Sequence, residues 1–190
     1  MRYILNILFI LISINTSQLY AEEIPYLLTA SAKGDIETVK AIIESGGDPN
    51  TEDKDNINAL MYASRKNKVE IVEYLISKGA DVNKVENDGW SALMFAAKKN
   101  YTVTVKTLLN NNADPKISDP DGWSAYGLAA TSGHYETVDL LLKGGIDPNS
   151  RNNSGLTVLM LACKGGDIKT IEILINNEAK IELKDRYGKT

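Results

Sequence analysis

The chain has 190 residues, 43% of them apolar, with 21 Lys and Arg against 25 Asp and Glu and a formal net charge of −4. That length supports one domain or a short array of small units. The mild acidity argues against non-specific nucleic-acid binding, which needs a basic surface. One cysteine and one histidine exclude an intrachain disulfide framework, a cysteine-based zinc cluster and a histidine-pair metal site.

The chain opens with MRYILNILFILISINTSQLYA. Arg2 supplies a positive charge, an apolar stretch runs from Tyr3 to Ile14, and a small residue, Ala21, follows a polar segment. This is the three-part layout of a secretory signal peptide over residues 1–21, with cleavage expected after Ala21. The apolar run is shorter than the roughly 20 residues a spanning helix needs. The mature chain is expected in the periplasm or outside the cell, with no membrane contact after cleavage. The alternative is an uncleaved membrane anchor. No cysteine lies near the cleavage point, so lipid anchoring is not expected.

A first helix pair follows directly. Pro25 suits the first turn of a helix, and Tyr26, Leu27 and Leu28 continue it. From there one register repeats. Asn58, Ser91, Ser124, Thr157 and Thr190 lie 33 residues apart, as do Ala30, Ala63, Ala96, Ala129 and Ala162. Gly89, Gly122, Gly155 and Gly188 form a third ladder, with Asn56 in the same slot, and Asp48, Asp81, Asp114 and Asp147 a fourth. A sustained period of this size marks an array of stacked supersecondary units. The units run over about 22–54, 55–87, 88–120, 121–153 and 154–186, and then a further unit begins.

Each unit reads as two short helices and a link. In the unit opening at Gly89, Ser91 is a good N-cap for ALMFAAKKN, and Asn100 and Tyr101 interrupt that helix. VTVKTLLNN then carries Val105, Leu108 and Leu109 on one face. The equivalent faces are Val39/Ile42/Ile43, Val72/Leu75/Ile76, Val138/Leu141/Leu142 and Ile171/Leu174/Ile175. Gly79 and Gly145 suit the positive φ that ends a second helix, and a link of Asn, Asp and Gly leads to the next unit. Helices this short are unstable alone, so stacking on neighbours must supply the stability.

The unit resembles an ankyrin repeat. The family signature Gly-x-Thr-Pro-Leu-His-x-Ala-Ala has its counterpart in Gly89-Trp90-Ser91-Ala92-Leu93-Met94-Phe95-Ala96-Ala97. The Gly-His turn is literal at Gly133-His134, and the Gly-Ala-Asp-Val-Asn ending at Gly79-Ala80-Asp81-Val82-Asn83. The resemblance covers the chain after the leader and implies an all-α fold, an ankyrin-repeat solenoid of stacked antiparallel helix pairs with finger-like β-turn links. Ala59, Ala92, Ala125 and Val158 stand where the family has Pro, and Met61, Met94, Gly127 and Met160 where it has His. Methionine packing should therefore replace that histidine's hydrogen bonds. Tyr126 replaces the Leu60, Leu93 and Leu159 of its slot, which beside Gly127 implies a local repacking. Asp185 to Thr190 begin a sixth unit; either the last full unit is cap-like, or the array continues in a longer chain.

Few residues suggest chemistry. His134 occupies the turn slot, and Cys163 occupies the slot of Ala97 and Ala130, where a buried small residue is expected. A redox or nucleophilic role for Cys163 is the rival from the enzyme class; it lacks a clearly positioned basic neighbour. Gly188-Lys189-Thr190 has Leu183 where a phosphate loop needs its first glycine. Asp119 to Gly122 has calcium-loop character, but Ala130 stands in the slot of the closing Glu. Asn152-Asn153-Ser154 would accept a glycan in a eukaryotic secreted chain. No catalysis, metal or cofactor is expected.

The resemblance implies protein–protein binding through a concave face made of fingers and first helices. The slot after each finger glycine holds Ile57, Trp90, Trp123 and Leu156, an apolar stripe with two tryptophans at its centre. Asn87, Asp88, Asp121 and Ser154 would add polar finger-tip contacts. Arg65, Lys66, Lys98 and Lys99, near the ends of the first helices, would steer a partner whose apolar patch is flanked by acidic groups. The structural alternatives are indoles that hold the array together and cations that complement helix ends. A secreted effector acting on a host protein, an inhibitor of another exported protein and a spacer in a longer chain are further readings.

Overall fold

A computed structural model describes residues 26–190. The leader, its cleavage point and Pro25 lie outside the described residues. The described part is a row of helix pairs: α1 (26–33) with α2 (Ile36–Glu44), α3 (Ala59–Arg65) with α4 (Val69–Ser77), and α5 (Ala92–Lys98) with α6 (Thr102–Asn110). These are followed by α7 (Ala125–Thr131) with α8 (Tyr135–Lys143) and α9 (Val158–Gly165) with α10 (Ile168–Asn176). The first helices α3, α5, α7 and α9 pack in one row and the second helices in another. This is the all-helical repeat solenoid that the family resemblance implies.

Capping starts the first helices. Asn58, Ser91, Ser124 and Thr157 are extended, and each side-chain oxygen accepts from the backbone N–H three residues on. Ala63, Ala96, Ala129 and Ala162 are all fully buried, so adjacent first helices approach closely along an alanine seam. The second helices contribute Val72 and Leu75, Val105 and Leu108, Val138 and Leu141, all fully buried. Each such side chain contributes roughly 1.5–3 kcal/mol. The third residue of the first four faces, such as Ile76 or Leu109, is only partly buried, and Ile175 of the last is exposed.

Neighbouring units are also tied by polar side chains. The hydroxyls of the buried Thr104 and Thr137 donate to Asn67 Oδ1 and Asn100 Oδ1 of the preceding unit, both at 2.8 Å. In the next such pair the acceptor slot holds Gly133. Asp167 moves into the vacated space, where a Cβ on Gly133 would stand 2.9 Å from Asp167 Cβ, and takes the Thr170 hydroxyl at 2.8 Å. The His134 ring completes the turn, its Nε2 donating to the Lys98 carbonyl at 3.1 Å. The turn slot thus gives this histidine a structural partner.

Met61 and Met94 are buried as packing residues, while Met160 is half-buried and its sulfur accepts from Thr157 N at 3.4 Å. Cys163, expected to be buried, is exposed. Ala97 and Ala130 in the same slot are covered because α7 packs on α5 and α9 packs on α7. Among the described residues no helix follows to cover the outer side of α9, so the slot faces solvent. No helix among the described residues is long and apolar enough to cross a membrane.

Candidate functional site

Each link folds into a short antiparallel finger. Single bridges join Glu52 to Asn58, Val85 to Ser91, Ser118 to Ser124 and Arg151 to Thr157. A 33-residue ladder that the sequence reading passed over builds the tips: Asp53, Glu86, Asp119, Asn152 and Asp185. Each side chain accepts from the backbone N–H groups two and four residues on, as Glu86 does from Asp88 N at 2.9 Å and Trp90 N at 2.8 Å. The second of those donors is Ile57, Trp90, Trp123 and Leu156 in the first four and Lys189 in the last, so the first four set the backbone that carries the apolar stripe. Asn56 and Gly122 take positive φ of 60° and 82° to close the tips.

The fingers stack edge to edge. Asn87 N donates to the Asp55 carbonyl at 3.1 Å, Asn153 N to that of Asp121 at 3.3 Å, and Arg186 N to that of Ser154 at 3.4 Å. The third finger has Pro120 in the donor slot. Without an N–H it cannot reach the Asp88 carbonyl, so this ladder breaks between the two tryptophan fingers. The Asn87 side chain is itself engaged, as acceptor from Asn56 Nδ2 at 2.6 Å and donor to the Lys54 carbonyl at 3.5 Å. Asn87, Asp88, Asp121 and Ser154 are all exposed, but their hydrogen bonds serve finger construction.

Ile57, Trp90, Trp123 and Leu156 are all half-buried. Trp90 lies against Phe95 of its own unit, the ring centroids 5.2 Å apart and tilted by 46°. The Arg65 guanidinium sits between Phe95, at 5.8 Å, and Tyr62, at 5.1 Å. The Tyr62 hydroxyl donates to Asp53 Oδ2 at 2.9 Å; burial and then this carboxylate push the phenol up from its ordinary range. Trp90, Phe95, Arg65 and Tyr62 thus form one aromatic–cation cluster across two units. Phe95 and Tyr62 were missed in the sequence because their slot continues as Leu128 and Leu161, which are buried. The available signal was two aromatics in succession at one repeat position.

The remaining cations are placed differently. Lys66 and Lys99 are exposed and cap the C-termini of α3 and α5, where positive charge complements the helix dipole. Lys98 is exposed and donates to Ser132 Oγ at 3.1 Å. Trp123 does not repeat the Trp90 arrangement, since Leu128 occupies the Phe95 slot; its indole lies over Gly127. Tyr126 is fully buried with no partner for its hydroxyl, and desolvation, reinforced by Asp147, pushes that phenol far up.

A family model for ankyrin repeats (3 copies) matches residues 27–119 and 94–185. No curated protein matches the chain.

Proposed function

The chain belongs to the ankyrin-repeat family, whose repeats generally mediate protein–protein interaction and are typically non-catalytic, and we propose that it is an exported binding module for a protein partner. The leader over residues 1–21 supports export to the periplasm or the exterior. Binding takes place through the fingers and first helices. The observation that carries this reading is the aromatic–cation cluster of Trp90, Phe95, Arg65 and Tyr62, half-buried on the side of the fingers rather than closed into the core.

Such a cluster offers an apolar surface with positive charge beside it. The exposed Lys66, Lys98 and Lys99 extend that charge. The partner it suits has an apolar patch flanked by carboxylates. Trp123, Ile57 and Leu156 continue the apolar surface on the adjoining fingers.

The test is capture from an extract of the exported compartment on the chain after Ala21. The control bait is a Trp90→Ala/Trp123→Ala variant with unchanged helicity. A protein held by the first bait and released by the second supports the reading. Equal retention by both sinks the site, and no retention by either sinks the module.

A further inference from the structure

The stacking of α7 and the link before it on α9 and its link departs from the neighbouring interfaces in two ways, and a cavity lies where the departures meet. The first is in the helix: Met61 and Met94 fill their slot as buried side chains, whereas α7 has Gly127 there. The second is in the link. Asn50, Asn83 and Asn149 each bridge to the next unit, their oxygens accepting from Asp81 N, Asp114 N and Lys180 N at 2.7–2.8 Å. Their Nδ2 groups donate to the carbonyls of Gly79, Asn112 and Glu178 at 3.0–3.4 Å. Lys116 occupies that slot in the link before α7, and an ammonium has no lone pair to offer the Asp147 N–H.

The equivalent backbone pair, Asp147 N–H and Gly145 C=O, therefore lacks its carboxamide bridge. Next to it is a cavity of about 240 Å³ lined by Gly127, Lys116 and Asp147, with Ile146, Val158 and Leu161 as its apolar part. A Cβ on Gly127 would stand 3.3 Å from Leu161 Cδ1 and 3.6 Å from Trp123 Cε3. A side chain rooted at Gly127 would press on the flexible end of Leu161, which must give slightly, and would meet the finger tryptophan in ordinary contact.

We propose that this cavity is a recognition pocket for a partner's peptide segment that presents an unbranched apolar side chain of methionine size next to an amide. These are the two groups that the other unit interfaces supply from within the chain. The amide oxygen accepts from Asp147 N–H, its N–H donates to the Gly145 carbonyl, and the apolar chain lies against Ile146, Val158 and Leu161 beside Gly127. The identity of the occupant as a partner segment rests on the binding reading above; the chemistry of the pocket does not.

The test is an NMR titration of the ¹⁵N-labelled chain with N-acetylmethioninamide, which carries both groups, and with N-acetylalaninamide, which keeps the amide alone. The expected result is saturable shifts of the Asp147, Gly127 and Gly122 amides in the millimolar range, with the alanine analogue about tenfold weaker. Lys116→Asn closes the amide pair from within, and Gly127→Met fills the apolar part; each should weaken the probe about tenfold or more. Lys116 is exposed, so its variant keeps the test intact if Gly127→Met fails to fold. Shifts that do not saturate, that cluster elsewhere, or that persist in Lys116→Asn overturn the proposal and leave a solvent-filled crevice. Because the probe needs no partner, failure here is distinct from failure of the Trp90/Trp123 capture.

Discussion

The rings of Trp90 and Phe95 stand 5.2 Å apart at 46°, joining a finger to the first helix of its own unit. An aromatic pair of this kind contributes about 0.5–1.5 kcal/mol beyond its buried area. Both rings are half-buried, so Phe95→Ala should destabilise the chain by about 1–3 kcal/mol, less than a fully buried aromatic. Urea unfolding of Phe95→Ala and Trp90→Ala checks this. A loss under about 0.3 kcal/mol in both would show that the contact holds nothing together.

Asn83 and Lys116 occupy one repeat slot with opposite consequences. Asn83 makes two hydrogen bonds to the next unit, at 2.7 and 3.0 Å, and Asn83→Ala should cost about 1–3 kcal/mol. Lys116 makes no such bridge, and Lys116→Ala should fall within about 0.5 kcal/mol of the parent. Urea midpoints of the two variants, compared at equal slope, decide it.

The caps of α2 and α10 make the array sensitive to acid. Asp35 and Asp167 are each held below the ordinary carboxylate range of 3.8, chiefly by hydrogen bonds from Thr38 and Thr170 respectively. Because the folded pKa is depressed, each carboxylate's stabilisation is fully present above 3.8 and is lost as pH falls through the lower folded value. Asp167→Asn should flatten the acid limb of a stability–pH curve while changing little of its shape near neutrality. An unchanged acid limb would remove Asp167 from the account.

Cys163 is exposed, so an aromatic disulfide reagent should titrate one thiol per chain without denaturant. The Cys163→Ser variant should release no chromophore. If native Cys163 reacts only after unfolding, the outer side of α9 is covered in solution.

Much of the fold was legible in the sequence because the 33-residue ladders mark positions where geometry admits few residues. Alanine at Ala63, Ala96 and Ala129 allows close helix approach, and a capping side chain at Asn58, Ser91 and Ser124 starts each first helix. These are local or nearest-neighbour demands, and they recur with the unit. The stripe of Ile57, Trp90, Trp123 and Leu156 was legible for the same reason. Its chemistry was not, since the partners of each side chain lie in other slots.

By itself, then, the sequence determined the units, their caps and their stacking order, because a repeat writes the same short-range constraints several times. Only the tertiary structure decided what happens where one unit differs from the next. It left Cys163 exposed, placed Arg65 between Tyr62 and Phe95, and opened a cavity that Gly127 and Lys116 both line. Those outcomes depend on which neighbour lies across the interface and what volume and hydrogen bonds it brings, which no residue carries in its own position along the chain.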